Sequence, residues 1–194
     1  MKKKSVMIPD TATVDLILKK EQYKKRYWRT LRSTIYSLLV VAAIAVLVAT
    51  IWMPVLRIYG SSMTPTLTEG EIVLSIKGSD FDRGDIVALY VGNKLLVKRI
   101  IAGPGQWVNI DADGTIYVDG EELKEPYLSE KAYGDVTIEL PYQVPEDRYF
   151  VMGDHRSTSA DSRNTAIGCI AEEQIVGRIL VCVWPFSNFG LVEK

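Results

Sequence analysis

The chain of 194 residues is poor in the residues that usually bind metal ions. It has one histidine, His155, and two cysteines, Cys169 and Cys182, which do not form a Cys-x-x-Cys pair. Zinc sites need three or four such ligands, so we expect no metal site, and nothing else in the sequence suggests a cofactor. The chain also lacks evident internal repeats and low-complexity tracts.

Charge is absent from a long stretch near the N-terminus. Arg32 and Arg57 bracket residues 33–56, which contain no Asp, Glu, Lys or Arg. As a helix this stretch would be about 36 Å long, enough to cross a hydrocarbon core of roughly 30 Å. A core helix of a soluble protein is rarely so long and so apolar on every face. The sequence therefore predicts one transmembrane helix over residues 33–56.

The charges on either side of this stretch predict its orientation. Residues 1–32 carry ten Lys or Arg and three Asp or Glu, whereas residues 57–194 carry 13 basic and 21 acidic residues. Positive residues beside a span stay in the cytoplasm, so residues 1–32 are expected to be a basic cytoplasmic segment. We expect its first 20 residues to be loosely ordered. A nucleic-acid-binding arm is the alternative, but orientation in the bilayer explains the charge without it, and no nucleic-acid partner is predicted.

The end of the apolar stretch indicates that it is kept as an anchor. A cleaved secretory signal ends at small residues, whereas this stretch ends Ile51-Trp52-Met53-Pro54. Residues 57–194 then form one domain outside the cytoplasm, on a single-pass protein of the cell membrane. A disulfide between Cys169 and Cys182 is permitted there, and two buried free thiols fit the sequence equally well.

The extracytoplasmic part has the pattern of short strands separated by turns. Asp111-Ala112-Asp113-Gly114 is typical of a hairpin connection, and residues 121–145 are polar and proline-containing, as expected of an irregular surface segment. The fold class predicted is mostly β, with antiparallel strands. Seven runs rich in Val, Ile, Leu and Tyr are the predicted strands: Glu71–Ile76, Asp85–Val91, Lys94–Ile101, Trp107–Ile110, Thr115–Val118, Tyr149–Met152 and Ile175–Val183.

Ser62 is a candidate nucleophile, because it lies in a serine-rich turn whose following Pro65 restricts the backbone. Only six residues separate it from Leu56, a reach of at most about 20 Å, so it is expected near the membrane surface.

A serine hydroxyl needs a base, and Lys98 and His155 are the candidates. Lys98 lies in a run that is apolar on both faces, where lost hydration would lower the pKa of its amine from about 10.4 toward neutrality. A lysine at a sheet edge that reaches solvent is the ordinary alternative.

A second polar segment, Gly153 to Arg163, follows an apolar strand and carries more hydroxyls and charges than a simple connection needs. Asp161 and Arg163 are spaced to form an ion pair that stiffens the loop, and Ser159 is placed to orient an amine by a hydrogen bond. A solvated loop with Asx and Ser turns is the alternative.

Four segments, in the same order, resemble the sequence boxes of bacterial type I signal peptidases. Glu125-Pro126-Tyr127 resembles a further feature of that family, and the chain lacks room for the large extra β insertion of the Gram-negative enzymes, so it is similar to the compact Gram-positive form. The four segments are Ser62–Leu67, Asp82–Val87, Lys98–Gly105 and Gly153–Arg163.

The resemblance implies a serine endopeptidase with a Ser/Lys dyad that removes signal peptides from secretory preproteins at the lipid bilayer. It implies Ser62 as the nucleophile, Lys98 as the general base and Ser159 as the group that orients the lysine. Asp161 and Arg163 would brace the site. The Ser62 backbone N–H would hold the oxyanion, a contact worth several kcal/mol in such enzymes.

Three positions depart from the family pattern. Gly60 stands where some members have a hydroxyl that acts as a second oxyanion donor, so Ser61 or another backbone N–H would have to replace it. Gln106 stands where an acid is common, and His155 stands where Asn is common. His155 leaves a conventional triad of Ser62, His155 and Asp154 or Asp161 as an alternative to the Ser/Lys dyad.

Two other functions fit parts of the sequence. A self-cleaving Ser/Lys membrane regulator would use the same chemistry on its own chain, although no DNA-binding helices precede the span. A non-catalytic, membrane-tethered β module that binds a partner would not need Ser62 at all.

Overall fold

The computed structural model describes residues 11–78 and 80–194. Within these residues the chain forms one long helix, α1 (Thr11–Trp52), two short 3₁₀ helices (Glu172–Gln174 and Phe186–Asn188) and twelve strands. The strands are β1 (Val55–Arg57), β2 (Ile72–Ile76), β3 (Ile86–Val91), β4 (Lys94–Ala102), β5 (Trp107–Ile110), β6 (Ile116–Val118), β7 (Glu121–Glu122), β8 (Tyr142–Gln143), β9 (Arg148–Met152), β10 (Ile170–Ala171), β11 (Ile175–Trp184) and β12 (Gly190–Leu191).

The helix is longer at its N-terminal end than predicted and shorter at its C-terminal end. Residues 11–20 are helical rather than loosely ordered, because the sequence from Thr11 to Trp52 contains no Gly or Pro and is rich in good helix formers. Residues 1–10 of that prediction lie outside the described residues. The predicted end at Leu56 is wrong: the helix ends at Trp52, since Pro54 has no N–H for a helical hydrogen bond and disfavours helix at the preceding residue.

The helix contains a segment that is apolar and long enough to cross a membrane. Its uncharged part, Ser33 to Trp52, is about 30 Å long, which matches the thickness of a hydrocarbon core. The chain divides into two compact units, residues up to 48 and residues 49–194. The second unit contains all the strands.

Two antiparallel sheets make up the second unit. The larger has the strand order β1-β2-β11-β3-β4-β9-β10, with β12 paired to β11, and the smaller has the order β7-β6-β5-β8. The mostly β, antiparallel fold class is therefore confirmed, and so are all seven predicted strands, to within one or two residues at their ends. The strands β1, β7, β8, β10 and β12 were not predicted.

Strand β4 is an interior strand that lies between β3 and β9. Its first half is partly exposed, but the five residues from Lys98 to Ala102 are all buried. Ile100 packs in one buried apolar cluster with Val87 and Val151, and Ile101 packs in another with Phe150 and Val108. The strand thus carries its polar pair, Lys98 and Arg99, into the interior of the domain.

Both cysteines are buried free thiols, so the structure contains no disulfide between them. Cys169 packs in the same apolar cluster as Phe150, and Cys182 packs in a third cluster with Ile58, Met63 and Leu67. Burial raises the pKa of the Cys169 thiol to about 11, so it is not poised for nucleophilic chemistry.

Candidate active site

Lys98 is held in the interior by its neighbours on the sheet. Lys98 pairs with Val87 of β3, and the next residue, Arg99, pairs with Met152 of β9. Continued by one residue, this antiparallel register would place Lys98 opposite Gly153. The lysine is only 3% exposed, and its Nζ donates a hydrogen bond to Ser159 Oγ at 3.0 Å. The edge-strand alternative for Lys98 is therefore wrong.

The surroundings of Lys98 lower the pKa of its amine below 10.5. Burial is the largest cause, because an ammonium deprived of water loses its hydration free energy. The Asp161 carboxylate opposes the shift and the Arg163 guanidinium adds to it. The neutral amine, which is the form that accepts a proton, is thereby favoured.

Gly153 is the point at which three of the predicted site residues meet. A Cβ atom at this position would lie 2.3 Å from Ser159 Oγ and 2.5 Å from the carbonyl oxygen of Ser62. The same carbonyl oxygen accepts a hydrogen bond from the His155 N–H at 3.1 Å. The structure therefore brings Ser62, Ser159 and the strand that carries Lys98 together around a position where only glycine fits.

The turn that carries Ser62 is held in place by apolar side chains that pack in the domain core. Met63 and Leu67 are 2% and 1% exposed and pack in the cluster that contains Ile58 and Val73. Ser62 itself is half-buried, and it lines a cleft of about 270 Å³ together with Tyr59, Leu95 and Val97. A serine that lines a mainly apolar cleft can meet a bound peptide.

The predicted brace forms as a bidentate ion pair. Arg163 donates from Nε and Nη2 to the two carboxylate oxygens of Asp161 at 2.8 and 2.9 Å, and both side chains are 0–1% exposed. Asp161 also accepts the Gly153 N–H at 3.1 Å. The remaining Arg163 donors bind the carbonyl oxygens of Tyr133 and Arg156 at 2.9 and 2.8 Å. Asp161 and Arg163 therefore fix the backbone at the junction where Ser62 and Ser159 meet.

Two further buried ion pairs surround the site and were missed by the sequence analysis. Arg99 binds Asp154 through two hydrogen bonds of 2.9 and 2.8 Å, and Asp154 also accepts the Thr66 hydroxyl, so the strand of Lys98 is tied to the turn of Ser62. Arg156 pairs with Glu125, although the two are far apart in sequence. Because the partners lie 31–55 residues apart, no local spacing could have revealed these pairs.

Tyr127 covers the Arg99 guanidinium, whose Cζ lies 3.7 Å from the centre of the ring. Its hydroxyl donates to Glu125 Oε1 at 3.0 Å, which links the two buried ion pairs. Burial next to Glu125 raises the pKa of Tyr127, so the phenol stays protonated and remains a donor. The segment Glu125-Pro126-Tyr127 thus has a structural role beside the site.

The conventional triad is not assembled. His155 Nδ1 lies 3.2 Å from the Thr64 hydroxyl, while Asp154 and Asp161 are each engaged by an arginine. Among the residues that the structure describes, no carboxylate contacts the His155 ring. A histidine base needs such a partner to hold its tautomer and orientation.

The predicted oxyanion donor is the Ser62 backbone N–H. Among the described residues, no group accepts a hydrogen bond from the Ser62 N–H. Gly60 has a φ of +78° and open space where a side chain would be, so it supplies no hydroxyl in that position. The Ser62 N–H is therefore available to a substrate oxygen.

Comparison with known proteins places the chain in a family. The family model described as "Signal peptidase, peptidase S26" matches residues 31–184. A signal peptidase I of Bacillus amyloliquefaciens is 37% identical over 163 residues, which cover 78% of this chain and 87% of that protein. Signal peptidase I T of Bacillus subtilis is 41% identical over 142 residues, 66% of this chain and 72% of that protein.

A crystal structure of a signal peptidase I from Enterococcus faecalis is also similar, with a TM-score of 0.45 and 30% identity, over 51% of this chain and 96% of that one. The extent of the family match and the identity to the Bacillus proteins confirm the resemblance that the four sequence boxes suggested: this chain belongs to the signal peptidase family, peptidase S26.

Proposed function

We propose that the chain is a membrane-anchored serine endopeptidase that removes signal peptides from exported preproteins with Ser62 as nucleophile and Lys98 as general base. The observation that carries the proposal is the buried Lys98 amine, which is deprived of hydration and held at 3.0 Å from Ser159 Oγ, beside the Gly153 junction that Ser62 also reaches. A lysine in such surroundings suits proton transfer near neutral pH.

In the proposed reaction, the neutral Lys98 amine accepts the proton of the Ser62 hydroxyl as its oxygen attacks the scissile carbonyl carbon. The resulting oxyanion accepts a hydrogen bond from the Ser62 N–H. Lys98 then gives its proton to the leaving nitrogen, the C–N bond breaks, and an ester of Ser62 remains. A water molecule attacks this ester as Lys98 accepts one of its protons. The bond between Ser62 Oγ and the carbonyl carbon then breaks, Lys98 returns the proton to Ser62 Oγ, and the carboxyl product leaves.

The supporting residues have distinct proposed roles. Ser159 accepts a hydrogen bond from Lys98 and so orients the amine, while Asp161 and Arg163 hold the Gly153 backbone in place. Arg99 and Asp154 connect the strand of the base to the turn of the nucleophile. These groups position Ser62 and Lys98 without touching the substrate.

We propose a single-pass orientation with the basic N-terminal segment in the cytoplasm and residues 57–194 outside it, in the cell membrane. The excess of Lys and Arg before residue 33 supports this topology. Secretory preproteins, whose signal peptides are themselves apolar segments in the bilayer, would then meet the enzyme within the same membrane.

Incubation of the detergent-solubilised protein with a model preprotein tests the function. We expect one mature product, formed at a rate proportional to enzyme concentration. The His155→Ala variant should keep activity within about threefold, because its ring faces Thr64 rather than a carboxylate. Fragments of the protein itself that appear at a concentration-independent rate, with the preprotein intact, would instead favour the self-cleaving regulator. An intact preprotein without such fragments would favour the binding module.

The pH dependence of cleavage is expected to follow Lys98. Below the pKa of its amine the base is protonated, so kcat/KM should rise about tenfold per pH unit until that pKa is reached. Because burial lowers this pKa below 10.5, the rise should end at a lower pH than for an ordinary lysine. A pH–rate profile on wild type and His155→Ala checks this, since an acid limb that disappears in the variant would assign the titration to the histidine.

A further inference from the structure

Trp28 lies at the centre of a group of cations on one face of helix α1. Lys24, Lys25, Arg29 and Arg32 surround it, at positions three and four residues before it and one and four residues after it, and with Glu21 they enclose a shallow recess. We call these five residues, Trp28 and the four cations, the Trp28 face. Helical spacing puts side chains three and four residues apart next to one another, so Lys24, Lys25 and Arg32 flank the indole ring. Arg29 lines the same recess from the adjacent position.

The cations of the Trp28 face are not paired with any carboxylate of the described residues. Among the residues that the structure describes, none of the four forms an ion pair. Trp28 is 51% exposed, and the Tyr27 ring meets it edge-on at 6.3 Å between ring centres. Four unpaired charges held close together repel each other, which favours an anionic ligand among them.

The position of the Trp28 face relative to the apolar stretch identifies the kind of ligand. Arg32 directly precedes Ser33, where the uncharged part of the helix begins. Trp28 lies about 7 Å before that point along the axis, and Lys24 about 13 Å. The headgroup layer on each side of a bilayer is roughly 5–8 Å thick, so Trp28, Arg29 and Arg32 fall at its depth and the lysines just outside it.

We propose that the Trp28 face binds the headgroup of an anionic phospholipid. Arg29 and Arg32 would donate hydrogen bonds to the phosphodiester, the two lysines would add attraction, and the indole would lie in the headgroup layer, where amphipathic rings settle. The continuous helix from Thr11 holds these side chains in register with the span. The inference depends on the proposed span but not on the peptidase chemistry.

Native mass spectrometry of the full-length protein in detergent tests this site, because retained lipid is counted directly. The protein is incubated with equal amounts of phosphatidylglycerol and phosphatidylcholine that share the same acyl chains. We expect wild type to retain phosphatidylglycerol preferentially. The double variant Arg29→Gln/Arg32→Gln should lower this preference by about 25-fold, since each cation near the membrane surface contributes about fivefold. Trp28→Ala should lower it about threefold.

Matched variants distinguish a site from general attraction. Lys19→Gln/Lys20→Gln removes the same charge from the same helix outside the Trp28 face, and Tyr23→Ala removes an aromatic ring that is 75% exposed. Both should retain the wild-type preference.

Equal losses in both double variants would overturn the proposal, because net charge alone would then explain binding. Displacement of the lipid by a soluble oligonucleotide or by glycerol phosphate at equal concentration would also overturn it. Cleavage of a preprotein by all variants would show that the peptidase function is separate.

Discussion

Replacing Lys98 with Met is expected to abolish preprotein cleavage, with a loss of roughly a thousandfold or more in kcat, and Ser62→Ala should do the same. The proposed mechanism removes a proton from the Ser62 hydroxyl, and a positioned base contributes about 10²–10⁴-fold in such steps. The neighbouring carboxylates Asp154 and Asp161 are not expected to substitute, because each is paired with a buried arginine. Rates of product formation by the purified variants measure the effect.

Lys98→Met should at the same time stabilise the fold. Burial lowers the pKa of Lys98 in the folded state, so below 10.5 the unfolded chain binds the proton more readily, and lysine at this position opposes folding. An apolar side chain of similar length removes that cost. Thermal unfolding should therefore show a higher Tm than wild type at neutral pH, and the difference should shrink as pH rises toward 10.5.

The two measurements together separate loss of chemistry from loss of structure. A variant that is inactive and more stable than wild type has lost its base and not its fold. Full activity in Lys98→Met would exclude the lysine from the reaction, and a lower Tm at neutral pH would show that the amine makes a net favourable contribution in the folded state.

The long strands could be predicted because each contains enough Val, Ile, Leu or Tyr to indicate a strand. Strands β7, β8, β10 and β12 have two residues each and exist only through pairing with a partner elsewhere in the chain, which no local pattern shows. The first two residues of β1 fall within the predicted membrane helix because Val55 and Leu56 are apolar. Its three residues instead pair with β2, and Leu56 packs in the domain.

The contact between Lys98 and Ser159 and the ion pair of Asp161 and Arg163 could be predicted because these residues lie in short sequence boxes. Asp161 and Arg163 are two residues apart, so their ion pair followed from spacing. The pairs Arg99–Asp154 and Glu125–Arg156 did not, because they depend on how β4, β9 and the segment after β7 meet. Buried ion pairs contribute little net stability, and their value at this site is the fixed geometry that they impose.

The steric role of Gly153 could not be predicted from the sequence, because a glycine before a polar loop has many ordinary explanations. Its φ is not in the left-handed region, so backbone strain does not explain it. The reason is steric: a methyl group would come within 2.3 Å of Ser159 Oγ and 2.5 Å of the Ser62 carbonyl oxygen. One of these contacts is backbone and cannot rotate away.

Gly153→Ala is therefore expected to lower kcat by about a hundredfold or more. The added methyl must push the Ser62 turn away from Ser159 and Lys98, and displacement of a reacting group by about 1 Å costs on that order. Overpacking should lower stability by about 1–3 kcal/mol as well, measurable by denaturant unfolding. Gly190→Ala is the matched control, because a Cβ there meets nothing within 4 Å and the φ of Gly190 is not positive.

The size of the kinetic effect relative to the stability effect decides the interpretation. If the variant remains folded under assay conditions and only kcat falls, Gly153 acts by holding Ser62 against the base. If activity falls only in proportion to the unfolded fraction, the residue serves packing alone. Wild-type kcat in folded Gly153→Ala would mean that the Ser62 turn moves freely relative to Ser159, which contradicts the rigid junction formed by Asp161, Arg163 and the Gly153 N–H.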